Sequence, residues 1–556
     1  MKCETNLPLM SLLFLLTNVF TIANAKYMIN INDSVSLQDC SFDDLRTISA
    51  HNANPLEIVI QNCHLKDELP NALFIRFHQL RILEITDSHL TNIGDFAFNG
   101  LNDMRILSLA RNNLTFVRTW SNENLESLHT LDLRRNNITE VHRFAFNRYP
   151  KLLKLNLAVN HLKTLPHDLF RIPCLLKHLN LGKNNFKSID SHTFKHLHKL
   201  IHLELKHNEI ESIAEDSFVG LTHLKILHLQ ENKLTTFDQE LISNMPRLHH
   251  LNLSHNLLLE IREETFEKNE ELISLDISHN KFQSFSKLSF KGLEVLEILN
   301  ASNNAIESIE NDIFNDLGML KLIDFSNNQI KEILSDTVFR STPLLKSIRL
   351  NGNLLQSINT TTFIGLKLEQ LDLSCNNLSS DNFLWPEAVE IAYLNLTFNA
   401  FSTINSSVLE NIIVTDLYEN PFTCEWLVEE IFASKNVHYG RDYVVRSRHD
   451  LFEATGVACT DQHTNVVHRL IVLETGRDLN DDVMVMSEND KETKCQPFFQ
   501  NFNYAPVLLW FFSGGIVVLF VYCILKLMRK SNIDDAPYQV TPIVIDEESK
   551  YTFNEK

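Results

Sequence analysis

His178, His202, His228 and His250 recur through the middle of the chain at separations of 24, 26 and 22 residues. Imidazoles do two kinds of chemistry near neutral pH: they coordinate transition metals and they exchange a proton. Glu204 is the one nearby carboxylate that could complete a metal set. If the segment repeats as short strands, His178, His202 and His250 take the first outward position of theirs and His228 the middle one, so the four rings do not line up. That offset weighs against zinc and favours a solvated, pH-sensitive patch, or plain surface polarity in a chain with 24 histidines. No H-E-x-x-H, G-x-S-x-G, C-x-x-C or phosphate-loop signature occurs, and no carboxylate pair stands apart from the repeat. The expectation is therefore no enzyme, no metal and no cofactor.

Whatever positions these histidines repeats. Aligned on L-x-x-L-x-L-x-x-N-x-L, asparagines fall at 112, 136, 160, 184, 208, 232, 256, 280, 304 and 328, a 24-residue period without a slip. Looser copies continue at Asn353, Asn376, Asn399 and Asn420, and Ser88 and Cys63 hold the same slot upstream, which gives about sixteen repeats over 55–422. Within one repeat, Leu131 and Leu133 alternate inward on a short strand while Thr130, Asp132 and Arg134 face out. Asn136 then stands where the chain turns away, and a buried amide there must find partners on neighbouring turns. A Phe recurs fourteen residues before the Asn, at 74, 98, 146, 170, 194, 218, 266, 290, 314 and 339, as an aromatic spine on the far side that Asn122 and Ile242 interrupt. The fold class expected is an α/β solenoid whose short strands line its concave side, with disulfide caps at both ends and one transmembrane helix.

Composition agrees with a folded chain: 556 residues, 44% hydrophobic and 9% aromatic, with a net charge of −20. That acidity argues against nucleic acid as a partner, because phosphate backbones demand clustered Lys and Arg. Residues 1–25, with an apolar run from Leu7 to Ile22 and Ala23-Asn24-Ala25 at its end, have the form of a signal peptide. Residues 26–54 form an N-terminal cap, and 423–505 a C-terminal cap and juxtamembrane stalk. Val507 to Leu525 carries no charge and is long enough to cross a bilayer, so 506–527 is the expected span. Lys526, Arg529 and Lys530 follow it, which puts 528–556 inside and the N-terminal mass outside, a single-pass type I plasma-membrane topology. The 27 residues after Arg529 are too few for a kinase or a Toll-type signalling domain, and Tyr538 and Tyr551 read as ordinary tail residues.

The repeat consensus with its x-x-F-x-x-L segment resembles the typical extracellular subclass of leucine-rich-repeat proteins, as in Toll-type receptor ectodomains, over about two thirds of the chain. Asn420-Pro421-Phe422-Thr423-Cys424-Glu425-Trp426-Leu427 resembles that family's C-terminal cap, and its Cys-x-Trp form is similar to insect leucine-rich immune proteins. The resemblance implies a curved leucine-rich-repeat horseshoe with a parallel concave sheet, without naming a ligand. Seven cysteines are expected outside the membrane: 40, 63, 174, 375, 424, 459 and 495. Cys40 with Cys63, and Cys424 with Cys459, would seal the two ends of the sheet. Cys174 and Cys375 lie eight repeats apart, about 38 Å at roughly 4.8 Å per strand, and are expected as buried free thiols. In the family's cap a Cys-x-Cys pair supplies two partners, but Trp426 replaces the second here. Cys495 is then left for an interchain disulfide, or for reshuffled pairing with Cys424 or Cys459.

Nine N-x-S/T acceptors are present: Asn32, Asn113, Asn137, Asn252, Asn300, Asn359, Asn377, Asn395 and Asn405. Asn252, Asn300 and Asn395 take middle outward positions, where sugars would crowd partners off the sheet. No acceptor does so between the strands before Asn136 and Asn232. The expected ligand face is there: Thr130, Asp132, Arg134, Lys154, Asn156, His178, Asn180, His202, Glu204, Lys206, Ile226, His228 and Gln230. The alternative is that such residues are polar only because they face water, with contacts made on the flanks or by dimerisation. Binding is expected to change between roughly pH 7.5 and 5.5 as the histidines gain charge. Two functions fit: a cell-surface receptor or co-receptor for a macromolecule in innate immunity, and a cell-adhesion or neuronal-recognition protein.

Overall fold

The computed structural model describes residues 27–30, 34–41, 44, 55–65, 68–120, 125–172, 175–333, 337–359, 361–380, 389–404, 412–417, 420–423, 455–460, 467–472 and 485–487. All of them fall in the first of two compact units, Met1–Pro497 and Phe498–Lys556. The 24-residue period sets one strand at the same point of every turn, and these strands form a single sheet of eighteen. Tyr27–Asn30 and Ser34–Gln38 make an antiparallel hairpin at its start. Ser34–Gln38 then pairs in parallel with Glu57–Gln61. From there each strand pairs in parallel with its successor, through Thr130–Asp132 and His202–Glu204 to Ile412–Asp416. A four-stranded sheet follows, in which Phe422–Thr423 pairs with Thr455–Thr460 and the chain continues through Val467–Val472 and Val485–Ser487.

Alternation fixes which side faces the core. Leu131, Leu133, Leu203 and Leu205 are fully buried, whereas Thr130, Asp132, His202 and Glu204 between them are half-buried and Arg134 is exposed. One feature departs from the expected α/β class. Opposite the sheet the described residues form turns and two-residue strands, with a short helix at Gln239–Ile242, so the architecture is a parallel-sheet β-solenoid. The cause is the threefold spacing of Phe and Leu in x-x-F-x-x-L. Leu197 N–H donates to the Phe194 carbonyl and Leu200 N–H to the Leu197 carbonyl, which closes successive turns before an α-helix can propagate.

The recurring asparagines lie buried along one line. Asn136 Nδ2 donates to the carbonyls of Leu109 (2.9 Å) and Leu133 (3.0 Å), and its Oδ1 accepts from Leu114 N–H (3.1 Å), so each side chain ties its own turn to the one before. The line starts at a cross-link: Cys40 and Cys63 are disulfide-bonded with Cα atoms 4.4 Å apart, Cys63 N–H donates to Ser88 Oγ, and Ser88 N–H to Asn112 Oδ1. The residue just before each of these slots is left-handed, from Asp39 and Asn62 through Arg111, Arg135 and Val159 to Phe398, all with φ between 51 and 58° apart from Gly352 at 68°. The strain of a side chain there is offset because the N–H of these residues is used: Arg135 donates to Ala158 O and Val159 to Gly182 O, each at 2.9 Å.

The aromatic spine is buried throughout, with Phe170, Phe194 and Phe218 stacked at 6.3 and 6.1 Å. Its first gap is closed by Trp120, whose ring meets Phe98 edge-on at 6.2 Å, and Phe363 extends the column beyond Phe339. At the second gap Ile242 is buried, and Asn269 bonds the carbonyls of Ile242 and Met245.

The expected free thiol at Cys375 is corrected: Cys375 is disulfide-bonded, with its partner outside the residues whose side chains are described. It occupies the left-handed slot before Asn376 and is only half-buried, at the edge of its turn, where a residue faces outward rather than into the core. Cys174, Cys424, Cys495, Asn32 and Asn405 lie outside the described residues, as do the expected signal peptide, membrane span and tail; Cys459 is described in backbone only. Among the described residues no helix is long and apolar enough to cross a membrane.

Candidate recognition face

The register aligns the candidate residues in rows. Thr130, Lys154, His178, His202, Ile226 and His250 are successive Cα partners in the first row, and Asp132, Asn156, Asn180, Glu204, His228 and Asn252 in the second. Neighbours within a row are about 4.8 Å apart. The face is therefore continuous from Thr130 to Gln230, with Arg134 and Lys154 exposed and the rest half-buried.

The second row has a structural task that the sequence reading missed. Asp132 Oδ1 accepts from Arg134 N–H, Asn156 Oδ1 from Ala158 N–H and Asn180 Oδ1 from Gly182 N–H, all at 3.0 Å. Asn252, Asp276, Asn300, Asp324, Asp372 and Asn395 repeat the bond. These side chains satisfy the N–H two residues on, as Asx turns do. The signal was available as Asp or Asn four residues before the ladder position. Only part of each such side chain therefore remains for a ligand.

Two cations of the face, Arg134 and Lys206, are paired locally. Arg134 Nε lies 3.1 Å from Asp132 Oδ2, and Lys206 Nζ lies 3.0 Å from Glu204 Oε2, which also accepts from Asn180 Nδ2 at 3.1 Å. The Asp132 carboxyl sits above its ordinary range because burial outweighs its bonds to Arg134. Four histidines were expected as one patch, and three of them meet: the rings of His178 and His202 are 6.1 Å apart and those of His202 and His228 are 5.2 Å apart and nearly perpendicular. Burial, with the positive neighbourhood of Lys154, His202 and Lys177, pushes His178 down to about 4. Burial and His202 likewise push His228 down to about 4 against the pull of Glu204. Neither gains charge between pH 7.5 and 5.5, so the expected pH window is corrected for these two.

Outward positions of the sheet continue before Thr130. A groove of about 250 Å³ next to Thr130, Asp132 and Arg134 is lined by Val59, Gln61, Glu84, Thr86, Ile106 and Arg111 among others. Val59, Gln61, Glu84, Thr86 and Ile106 hold the same outward positions on preceding strands and carry no acceptor sequon, a continuity already present in the repeat alignment, whereas Arg111 is the left-handed residue before Asn112. Among the sequons, Asn113, Asn137, Asn359 and Asn377 are exposed, while Asn252, Asn300 and Asn395 are half-buried on strands of the sheet.

These repeats match the leucine-rich repeat family profile over residues 78–138, 126–176, 174–234, 207–258, 246–306 and 333–378. In those segments the solenoid is built of leucine-rich repeats. Among solved structures, it is similar to Toll from the Toll–Spatzle complex of Drosophila, at 21% identity and a TM-score of 0.59, covering 74% of this chain and 59% of that one. The glycosylated form of that complex gives 21% identity and a TM-score of 0.60, over 77% of this chain and 61% of that one. The chain thus spans about three fifths of the Toll chain's length. A leucine-rich-repeat protein of Leptospira interrogans matches at 20% identity and a TM-score of 0.54, over 70% of this chain and 96% of that one. No curated protein matches the sequence. At these identities the likeness concerns the fold.

Proposed function

We propose that this chain is a cell-surface recognition protein, a receptor or co-receptor that binds a protein or other macromolecular ligand on the first half of its sheet, in innate immunity. The observation that carries the reading is the uneven exposure of that sheet. From Glu57–Gln61 to Ile226–His228 no sequon stands on a strand, whereas Asn252, Asn300 and Asn395 do. A face of paired charges, amides and imidazoles without shielding sugars suits a specific polar partner. The Toll complex supports the class, since that relative is described with Spatzle as a hub in development and innate immunity. The proposed topology is single-pass type I at the plasma membrane, without nucleic acid as partner, and dimerisation through Cys495 is part of the reading.

Capture of binding partners on cells displaying the full-length chain tests it. Arg134→Glu with Lys206→Glu should weaken capture by on the order of tenfold without altering surface display. Unchanged capture would remove the ligand from this face. Transcript induction by infection supports the immune role, and expression confined to developing cell contacts would replace it with adhesion. Protease shaving should spare an epitope placed after Lys556 until cells are permeabilised. On non-reducing gels, Cys495→Ser should abolish a dimer band.

A further inference from the structure

Between Asp132 and Asp324, two adjacent strands break the rule that the other turns of that stretch follow in the second row. Where other turns place Asp or Asn with Oδ1 on the N–H two residues on, these place Glu204 and His228, which are Cα partners in register. Their side chains are not committed to the backbone in this way, and they converge with His202. Donor atoms of His202, Glu204 and His228 all lie within 4.8 Å of one another. We propose that these three residues form a binding site for a zinc ion, or a similar divalent transition metal, whose remaining position opens to the solvent face of the sheet.

The offset of His228 to the middle position, which argues against a metal when the histidines are read as one line, is what builds the site. His202 and Glu204 are two residues apart on one strand and face the same way, and His228 stands beside Glu204 one strand on. Glu204 is already oriented: Lys206 and Asn180 hold Oε2, leaving Oε1 toward His202 Nε2 at 3.4 Å. Metal-binding carboxylates are characteristically fixed by such outer partners. His228 Nδ1 and Gln230 Oε1 are buried and make no hydrogen bond among the described residues, an unmet demand that a cation and its bound water would satisfy. Tetrahedral zinc with bonds of about 2.0–2.2 Å places its donors roughly 3.4 Å apart. Small χ rotations close the difference. Two imidazoles and one carboxylate with an open fourth position are a donor set that zinc accepts, and the ion would present a Lewis-acidic anchor for a partner's carboxylate or imidazole.

The test is titration of the purified, chelator-stripped full-length chain with zinc chloride at pH 7.5, read by competition with a chromophoric chelator. One equivalent should bind, and His202→Ala and His228→Ala should each weaken it by about a hundredfold, Glu204→Gln by about tenfold or more. His255→Ala with His279→Ala, the ring pair stacked at 3.9 Å on the turn edge, should leave it unchanged. Cobalt substitution should give a tetrahedral visible spectrum that His228→Gln, which keeps side-chain bulk, removes. Equal loss in the His255/His279 variant, binding unaffected in the His202/His228 double variant, or no equivalent bound would overturn the site. Metal-free melting temperatures of the variants separate ligand loss from misfolding.

Discussion

At the scale of single residues, the buried amide of each turn does more than fill space. Asn208 Nδ2 donates to the Leu181 and Leu205 carbonyls, and its Oδ1 accepts from Phe186 N–H. Asn208→Ala leaves the Phe186 N–H buried without an acceptor, while the Leu181 and Leu205 carbonyls keep the amides of Asn184 and Asn232, and we expect a loss of about 1–3 kcal/mol in urea unfolding. Asn208→Ser should lose less, because Ser88 already serves in the same slot through Ser88 Oγ to Thr86 O. His228 gives a second expectation. Its imidazole ordinarily titrates near 6.5 and is held near 4 by burial and by His202, with Lys206 and His250 adding and Glu204 opposing. Between those values the unfolded chain binds the extra proton, so stability is full above about pH 6.5 and falls as pH drops toward 4. The contribution is on the order of 2–3 kcal/mol. Melting temperature should fall on acidification, and His228→Asn should flatten that slope; an identical slope in the variant would refute the assignment. The ladder asparagines were legible because the amide recurs with a fixed period. The Asx bonds were legible too and were passed over, since a polar residue on an outward position looks solvent-directed until its neighbour's N–H is accounted for. The convergence of His202, Glu204 and His228 was hidden for another reason: it is diagonal, and a linear period shows only rows.

Elements add what residues alone do not. The stacked column of Phe170, Phe194 and Phe218 runs perpendicular to the strands and couples turns that share no side chain in the sheet. Phe194→Ala should cost about 3–5 kcal/mol, visible as lost cooperativity in thermal unfolding, with proteolysis opening beside the cavity. The first turns are held differently. Cys40 and Cys63 join equivalent slots 23 residues apart, and Cys40→Ser with Cys63→Ser keeps polar atoms there while removing the link. A loop of that size predicts roughly 3 kcal/mol, expected as early amide exchange confined to residues before Ser88. Strands and their inward leucines were readable from alternation. Turns in place of helices were less so, because apolar spacing on the far side suits either until the threefold hydrogen bonds are seen. Trp120 as the missing ring was obscured by its shift of two residues from the expected slot.

Across the whole molecule, the strict register makes distance a matter of counting turns. Arg134 and Lys206 lie three strands apart, about 14 Å, so one partner of modest size spans both, and their double charge reversal tests one footprint rather than two. Moving the sugar tests the same idea from the other side: Asn156 with a new acceptor created by Ala158→Ser should block capture, whereas Asn252→Gln should leave it unchanged or improved. Capture insensitive to both would mean that the flanks bind the partner. Finally, the ladder has a direction. Each asparagine completes the turn that precedes it: Asn160 Oδ1 takes Ile138 N–H and Asn160 Nδ2 reaches Leu133 O, both of which left the ribosome earlier. A growing chain therefore cannot finish one coil until the next has emerged, and assembly trails synthesis by about one period, starting from the cross-linked end.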